Sequence, residues 1–543
     1  MTFNFLLDKV YSVPGTDDDG RGEGFMEQKN NSDLIISWLK KISPQFRSVF
    51  FGVLLFGLLA QGMGLFNKFS HHDDVAILFD MGTTISSGRW MLQVLTVLEG
   101  KFYGTVSTSL PLFNGVVSLL CLGAVGGLLV RLLRIENRVY CFLLGCVMAA
   151  FPMITALFAY MFTSHPYMIG LLMMTVSACL ICGKNSWWMK IAGLLIGGAG
   201  VGIYQAYLRI LVTAVLFYHI METAEGGKSA RDCFLSAAFH VLCILGVMLV
   251  YWAGNRFFLY KYQVELSAYQ GIADMGQMTL QTLLGRIGRA YREFFLPTRQ
   301  VFGDMYPGTL YALHAVMLGA MLLLALREVA LAGKKDWKRG ALLAAMFLLV
   351  PLGSNLIYVM VEEEVHALMT YGQIMQVVLF VWLFDRLELS SRALTRGAAV
   401  CASLVLAVTS LMYARYDNQC YLKDALHQQE AISYYTTLIT RIKSLPGFQP
   451  KMRVLYANTE NAKDPTVYNI DELDFIRINP YWHNSMEYLH CPTWETFMKV
   501  WCGADFRDDW DPYLDSRPEV QAMPSYPADG SIKIIDGAVV VKF

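Results

Sequence analysis

Hydrophobic residues along the chain gather into long runs separated by short polar segments. A helix needs roughly twenty apolar residues to cross the hydrocarbon core of a bilayer, because each residue adds about 1.5 Å. By that criterion the sequence predicts an all-α polytopic membrane bundle of about eleven spans. They are Val49–Phe66, Leu110–Val130, Val139–Met161, Tyr167–Cys182, Ile191–Ile203, Ala206–Ile220, Phe234–Ala253, Leu310–Leu326, Leu342–Met360, Tyr371–Leu383 and Ala398–Met412.

The basic residues of the short connecting loops predict the orientation of these spans, since Lys and Arg are retained on the cytoplasmic side. Basic loops follow spans two, four, six, eight and ten, whereas the loop Val361–Thr370 has three glutamates and no Lys or Arg. This pattern places residues 1–48 inside as a cytoplasmic N-terminal segment, and loops 67–109 and 256–308 outside. The basic residues are Arg131, Arg134, Arg138, Lys184, Lys190, Lys228, Arg231, Lys334, Lys335, Lys338, Arg339, Arg386, Arg392 and Arg396.

The fifth and sixth spans are short, and glycines interrupt the apolar run that contains both of them. A single long tilted helix is the alternative interpretation. If the run were one helix, every later basic loop would lie outside, so two short helices are favoured. The glycines are Gly197, Gly198, Gly200 and Gly202.

Residues 415–543 are predicted to form a small exterior α/β domain that follows the membrane domain, residues 49–414. The pattern indicates a helix at Leu422–Ile442, a strand at Met452–Tyr456 and a hairpin. The hairpin pairs Ile532–Ile535 with Ala538–Val541 through Asp536-Gly537, a favoured turn dipeptide. Acceptor recognition and a structural lid are both compatible with this domain.

Within loop 256–308, the arginines at 286, 289 and 292 indicate a basic amphipathic helix that lies on the headgroups or guides a lipid phosphate.

Composition supports the membrane assignment and narrows the classes of partner. Hydrophobic residues make up 55% of the chain, charged residues only 16%, and the mean hydropathy is +0.40. The 44 basic and 44 acidic residues balance, so no basic field indicates nucleic-acid binding.

Among the 11 cysteines, Cys179 and Cys182 have CxxC spacing inside a span, where packing is favoured over a redox or metal role. Cys420, Cys491 and Cys502 permit at most one exterior disulfide.

The first exterior loop carries the densest candidate chemistry, His71-His72-Asp73-Asp74 and then Ser87-Gly88-Arg89-Trp90. Adjacent carboxylates at a membrane edge supply a general base, because like charges and partial burial raise a carboxylate pKa. Arg89 is suited to bidentate phosphate binding. In the structural alternative, Asp73 and Asp74 cap a following helix and Arg89 reaches the lipid headgroups. A metal site is disfavoured, because adjacent residues rarely converge on one ion.

A second group of polar residues, Tyr204, Gln205 and Arg209, lies where the two short helices meet. Polar residues at that depth are either functional or hydrogen-bonded within the bundle, and the sequence leaves both roles open. Trp90 is interpreted as an interfacial anchor, with a sugar-stacking platform as the alternative.

In their order along the chain these motifs resemble the bacterial and phage glucosyl transferases of the Gtr type-two family. The resemblance extends to Gly202-Ile203-Tyr204-Gln205-Ala206-Tyr207 and to short motifs near the C-terminus such as Met523-Pro524-Ser525-Tyr526-Pro527. It implies a GT-C-like fold in the bacterial cytoplasmic membrane. It further implies hexose transfer, with glucose expected, from a polyprenyl phosphate carrier to a cell-surface glycan, without a cofactor.

Carried over to this chain, the resemblance assigns catalysis to Asp73 and Asp74 and donor phosphate binding to Arg89. Of the two aspartates, Asp74 is favoured as the base, since the second residue has the longer reach toward the following helix. A lipid-linked-substrate transporter or flippase is the main alternative, and a non-catalytic scaffold is a third. No internal repeat is visible, and the polar cluster lies in a loop rather than at the midplane, which counts against transport. The residues assigned to substrate binding are Gly88, Trp90, Tyr204, Gln205 and Arg209.

The predicted orientation can be tested by labelling. In a cysteine-free background, a single cysteine introduced near Gly530 should react with a membrane-impermeant thiol reagent on intact cells, since the C-terminal domain is predicted to lie outside. Labelling that occurs only after lysis would contradict this orientation.

Overall fold

The computed structural model describes residues 42–69, 74, 84–104, 108–183, 185–267, 279–296, 308–361, 365–390, 395–459 and 494–543. The predictions for residues 1–41, for His71, His72 and Asp73, and for Cys491 lie outside these residues.

Helices dominate the described part of the chain. The first eight are α1 (Pro44–Phe66), α2 (Trp90–Tyr103), α3 (Pro111–Leu132), α4 (Arg138–Ala150), α5 (Pro152–Phe158), α6 (Met161–Ile181), α7 (Trp187–Val201) and α8 (Leu208–Glu225). They are followed by α9 (Ala230–Tyr262), α10 (Leu280–Phe295), α11 (Gly308–Lys335), α12 (Trp337–Ser354), α13 (Ile357–Met360), α14 (Ile374–Ser390) and α15 (Thr395–Lys443). Two 3₁₀ segments, Gln205–Tyr207 and Ala367–Gln373, precede α8 and α14.

Eight helices within the described residues are long and apolar enough to cross a membrane, or nine if one bent pair counts as a span. The bent pair is α4 and α5, which meet at an angle of 42°. Pro152 causes this break, because proline favours the first turn of a helix and cannot continue the helix before it. The membrane bundle is therefore observed, whereas the predicted count of about eleven spans is not confirmed.

The glycine-rich run is divided as predicted. Helix α7 ends at Val201, and the chain turns through the segment Gln205–Tyr207 before α8 begins. With 15 residues, α7 is shorter than a full span.

Helices α1 and α4 approach so closely that only glycine fits between them. A Cβ atom on Gly52 would lie 2.2 Å from the carbonyl oxygen of Phe142, and one on Gly145 would lie 2.2 Å from that of Val49. Each helix thus presents a glycine to the backbone of the other, as is common where membrane helices pack.

The last helix, α15, has 49 residues and runs without interruption through the predicted domain boundary at residue 415. Its C-terminal part packs against a four-stranded sheet in the order β2 (Arg507–Asp508), β1 (Arg453–Ala457), β4 (Ala538–Lys542), β3 (Ile532–Ile535). Strand β1 pairs in parallel with β2 and β4, and β3 pairs antiparallel with β4. The strand β1 and the hairpin are confirmed. Short helices α16 (Trp494–Trp501) and α17 (Pro518–Gln521) complete this part.

The predicted amphipathic helix is present as α10, and it packs against the bundle. Asn355 Nδ2 donates to the carbonyl oxygen of Ala290 at 3.0 Å, and Gln376 Nε2 donates to that of Phe294 at 3.1 Å. Helix α9 extends to Tyr262, beyond the predicted start of the second loop at residue 256.

The close approach of α1 and α4 yields a test of packing. Gly145→Ala should lower the thermal unfolding temperature by several degrees, because the new methyl group meets backbone atoms that cannot move aside and such overpacking costs about 1–3 kcal/mol. Gly319→Ala is the matched control, since no atom lies within 4 Å of a Cβ at that position. Equal unfolding temperatures for the two variants would contradict the close approach.

Candidate active site

The carboxylate of Asp74 is completely buried and held by three groups. Ser109 Oγ donates to Asp74 Oδ1 at 2.7 Å, and the backbone N–H of Phe162 donates to the same oxygen at 3.3 Å. The ammonium of Lys68 forms an ion pair with Oδ2. Phe162 lies in the first turn of α6, where unpaired N–H groups and the helix dipole favour a negative charge. Asp74 therefore attaches the first loop to the start of α6.

Lys68, just beyond the end of α1, is four-fifths buried with Asp74 as its charged partner. Burial lowers the pKa of Lys68 from 10.5 to about 7. The adjacent carboxylate opposes that shift, because it stabilises the protonated ammonium. The pair thus places two opposite charges in a poorly solvated environment at one end of the bundle.

Arg89 immediately precedes α2, and its guanidinium lies among aromatic side chains. Its Nη1 donates to the hydroxyl of Tyr167 at 3.0 Å, and its Cζ lies 5.4 Å from the ring centroid of Tyr204. The rings of Tyr167 and Tyr204 stack on each other, with centroids 4.4 Å apart and planes 12° apart. Stacked rings hold a guanidinium by cation–π attraction without neutralising its charge. Arg89 is half-buried in this position.

Gln205 joins the first loop to the 3₁₀ segment. Its Nε2 donates to the carbonyl oxygen of Ser87 at 2.8 Å and to the hydroxyl of Tyr251 at 3.3 Å. Gly88 has a φ of +71°, and a Cβ atom there would lie 2.7 Å from Tyr251 Oη and 2.8 Å from Gln205 Nε2. Glycine is required at residue 88 for both its conformation and its contacts.

Trp90 packs inside the fold. Cβ atoms on Gly202 and Gly254 would both lie within 3.0 Å of its ring, which also stacks on Phe258 at 5.4 Å. The backbone N–H of Met91 donates to the carbonyl oxygen of Gly202 at 2.9 Å. The described contacts of Trp90 are therefore packing contacts at the junction of α2, α7 and α9.

Arg209, in the first turn of α8, is the largest fully buried side chain of the described chain, with 1% of its surface exposed. Its Nη2 donates to the carbonyl oxygen of Met369, in the second 3₁₀ segment. Its electrostatic neighbours are Tyr358, Tyr204 and Tyr207. Because Tyr204 also faces Arg89, the two arginines belong to one cluster.

The structure thus brings together two groups of predicted residues that lie more than a hundred positions apart in the sequence. They are Gly88, Arg89 and Trp90 in the first group, and Tyr204, Gln205 and Arg209 in the second. Asp74 lies near this cluster through α6, which contacts both Asp74 and Arg89. Lys68, Tyr167, Tyr251 and Tyr358 also belong to the site and were not predicted. In the sequence the tyrosines lie within apolar runs, where they look like core residues, but Lys68 beside an acidic pair was a detectable signal.

A second ionisable contact lies nearby, between Glu99 of α2 and His165 of α6. His165 Nε2 and Glu99 Oε1 are 2.7 Å apart. Among the described residues, no group of three or more His, Cys, Asp or Glu side chains is placed to hold a metal ion.

Apolar helices surrounding a polar site at one end of the bundle define a polytopic membrane protein. The family model "Glucosyl transferase GtrII" matches residues 62–380, more than half of the 543-residue chain. The chain belongs to this family and is a glycosyltransferase. No curated protein and no solved structure matches it. The matched region contains the whole cluster around Arg89 and Arg209, whereas the C-terminal sheet lies beyond it.

The contact of Gly88 with Gln205 and Tyr251 can be tested against a second glycine. Gly88→Ala should lower the thermal unfolding temperature more than Gly104→Ala. Gly104 has nearly the same φ, +72°, but no atom lies within 4 Å of a Cβ there, so it reports backbone strain alone. Equal shifts would show that the close contact at Gly88 has no energetic effect.

Proposed function

We propose that this protein transfers a hexose, specifically glucose, from a polyprenyl phosphate to a cell-surface glycan on the outer face of the bacterial cytoplasmic membrane. The observation that carries the proposal is the contact between the Gly88-Arg89 element and the Tyr204-Gln205 element. It places a cation and hydrogen-bonding amide and hydroxyl groups at one end of an apolar bundle. A lipid-linked sugar has matching chemistry, since its tail is apolar and its headgroup is anionic and rich in hydroxyls.

Arg89 is the proposed ligand of the donor phosphate. Its guanidinium is oriented by the Tyr167 hydroxyl and the Tyr204 ring, and a planar guanidinium can bind a phosphate through two parallel hydrogen bonds. Such a preorganised cation stabilises negative charge that develops on a leaving phosphate.

The acidic pair supplies the proposed general base, and the contacts of Asp74 suggest how the two residues divide their roles. Asp74 is buried and already held by Lys68, Ser109 and Phe162, so it anchors the loop. Asp73 is the proposed base. It removes the proton of the acceptor hydroxyl as the oxygen attacks the anomeric carbon, and a single displacement inverts that carbon.

The C-terminal sheet is proposed to contact the acceptor glycan. It is tied to the bundle by α15, and it lies outside the region that the family model matches. These two facts suit a part that selects among acceptors while the membrane domain carries out the transfer.

The roles of the acidic pair can be separated with isosteric variants of the purified protein and a synthetic polyprenyl phosphate glucose. Asp73→Asn should insert and bind the donor normally but lose transfer by roughly a hundredfold or more, because general base assistance is removed. Asp74→Asn should lower the unfolding temperature and the transfer rate together, because a neutral amide leaves Lys68 as an unpaired buried charge. Transfer and donor binding are measured in parallel.

Full transfer by Asp73→Asn would remove that residue from catalysis. Absence of transfer by the wild-type protein, together with donor movement between the leaflets of proteoliposomes, would favour a flippase instead.

A further inference from the structure

Arg209 carries a buried positive charge that the described residues do not neutralise. Of its three guanidinium nitrogens, only Nη2 has a hydrogen-bond partner, the neutral carbonyl oxygen of Met369. Nε and Nη1 are buried without a partner among the described residues, and the groups that act on the charge of Arg209 are tyrosines. A buried charge without a partner costs several kcal/mol, and buried donors are almost always paired. This arrangement requires an explanation.

Apart from the Met369 carbonyl, the polar groups that act on Arg209 are tyrosine hydroxyls, which can donate hydrogen bonds. The hydroxyls of Tyr204 and Tyr358 are buried and also lack a partner among the described residues. Both tyrosines are electrostatic neighbours of Arg209. Two guanidinium nitrogens of Arg209 and the hydroxyls of two neighbouring tyrosines are therefore buried without a partner among the described residues, and no carboxylate is among the groups that act on the charge of Arg209. A ligand suited to these groups is an anion that accepts several hydrogen bonds, as a phosphate does.

The fold is also shaped to accommodate this guanidinium. A Cβ atom on Gly372 would lie 2.3 Å from Arg209 Nε and 2.7 Å from the carbonyl oxygen of Ser354. Any larger residue at position 372 would displace the arginine. The second 3₁₀ segment, which contains both Met369 and Gly372, therefore holds the guanidinium in place on one side.

Arg89 and Arg209 are both neighbours of Tyr204, so the cluster contains two arginines. A sugar linked to a polyprenyl monophosphate is a phosphodiester with one negative charge. When the sugar leaves, the polyprenyl phosphate becomes a monoester, which carries close to two negative charges above pH 6 or so. A buried guanidinium such as Arg209, whose charge is acted on only by tyrosines, thus favours the dianionic leaving group over the monoanionic donor.

We propose that Arg209 binds the lipid phosphate and stabilises the second negative charge that develops on it during transfer. This inference rests on the proposed function. In the step, the bond between the acceptor oxygen and the anomeric carbon forms while the bond from that carbon to the phosphate oxygen breaks. The electron pair of the broken bond stays on the phosphate, and the acceptor proton goes to the base. Since Nε and Nη1 are buried in this structure, phosphate binding requires groups around them to move.

The test measures binding, so that it does not depend on sugar transfer. Farnesyl phosphate and its methyl ester are titrated into the purified protein in nanodiscs at about pH 8, where the monoester is a dianion and the methyl ester a monoanion. The wild-type protein should bind the monoester at least tenfold more tightly. Arg209→Gln should weaken monoester binding roughly ten- to hundredfold and methyl ester binding much less, which removes the preference. Farnesol and inorganic phosphate, titrated separately, report whether the tail and the phosphate are both needed.

Three controls separate a ligand from a structural role. Arg231→Gln removes an exposed arginine outside the cluster and should leave the preference intact. Tyr358→Phe removes a hydroxyl that has no described partner, so a structural role predicts unchanged stability and binding, whereas the proposal predicts weaker monoester binding at unchanged stability. At about pH 5 the wild-type preference should shrink, since the monoester loses a charge and the methyl ester does not.

The inference is overturned if Arg209→Gln folds and keeps the wild-type preference. Where that variant does not fold, wild-type monoester binding by Tyr358→Phe is the overturning result. Tight binding of inorganic phosphate without the lipid would assign the site to a free anion. Failure of the wild-type protein to transfer sugar, with the preference present, would instead contradict the proposed function alone.

Discussion

The hydrogen bond from Gln205 to the carbonyl oxygen of Ser87 is the contact on which the rest of the site depends. It holds the first loop against the break between α7 and α8. The positions of the other groups in the cluster depend on where this loop lies. Gly88 is the residue that permits the contact, since a side chain there would collide with Gln205 and Tyr251. With the loop in place, Arg89 reaches the stacked rings of Tyr167 and Tyr204, and Trp90 fills the space beside Gly202.

Ion pairing then distinguishes two kinds of buried charge in this end of the bundle. Asp74 and Lys68 neutralise each other, and the remaining lone pairs of Asp74 Oδ1 are used by Ser109 and Phe162. Such a pair is a structural connection that has little capacity for another ligand. Arg209 has the opposite arrangement, because two of its guanidinium nitrogens have no partner among the described residues and only tyrosines act on its charge. Of these two buried groups, Asp74 has a charged partner and Arg209 has none among the described residues.

Sequence reasoning identified the features that depend on local pattern. The apolar runs, the split at the glycine-rich stretch and the hairpin at Asp536-Gly537 are all set by residues close together in the chain. It missed the bend between α4 and α5, because the run from Val139 to Met161 was counted as one apolar span although it contains Pro152. Helix α15 continues as one helix through the predicted boundary at 415, and its C-terminal part packs against the C-terminal sheet.

The site residues were only partly predicted. Asp74, Arg89 and Arg209 stand out in the sequence because charges are rare near membrane spans. Their roles, however, depend on Tyr167, Tyr251 and Tyr358, which belong to three other helical regions and look like core residues in the sequence. The sequence alone does not show which buried charge has a partner. That property separates Asp74 from Arg209, and it arises only when α6, α8 and the second 3₁₀ segment come together.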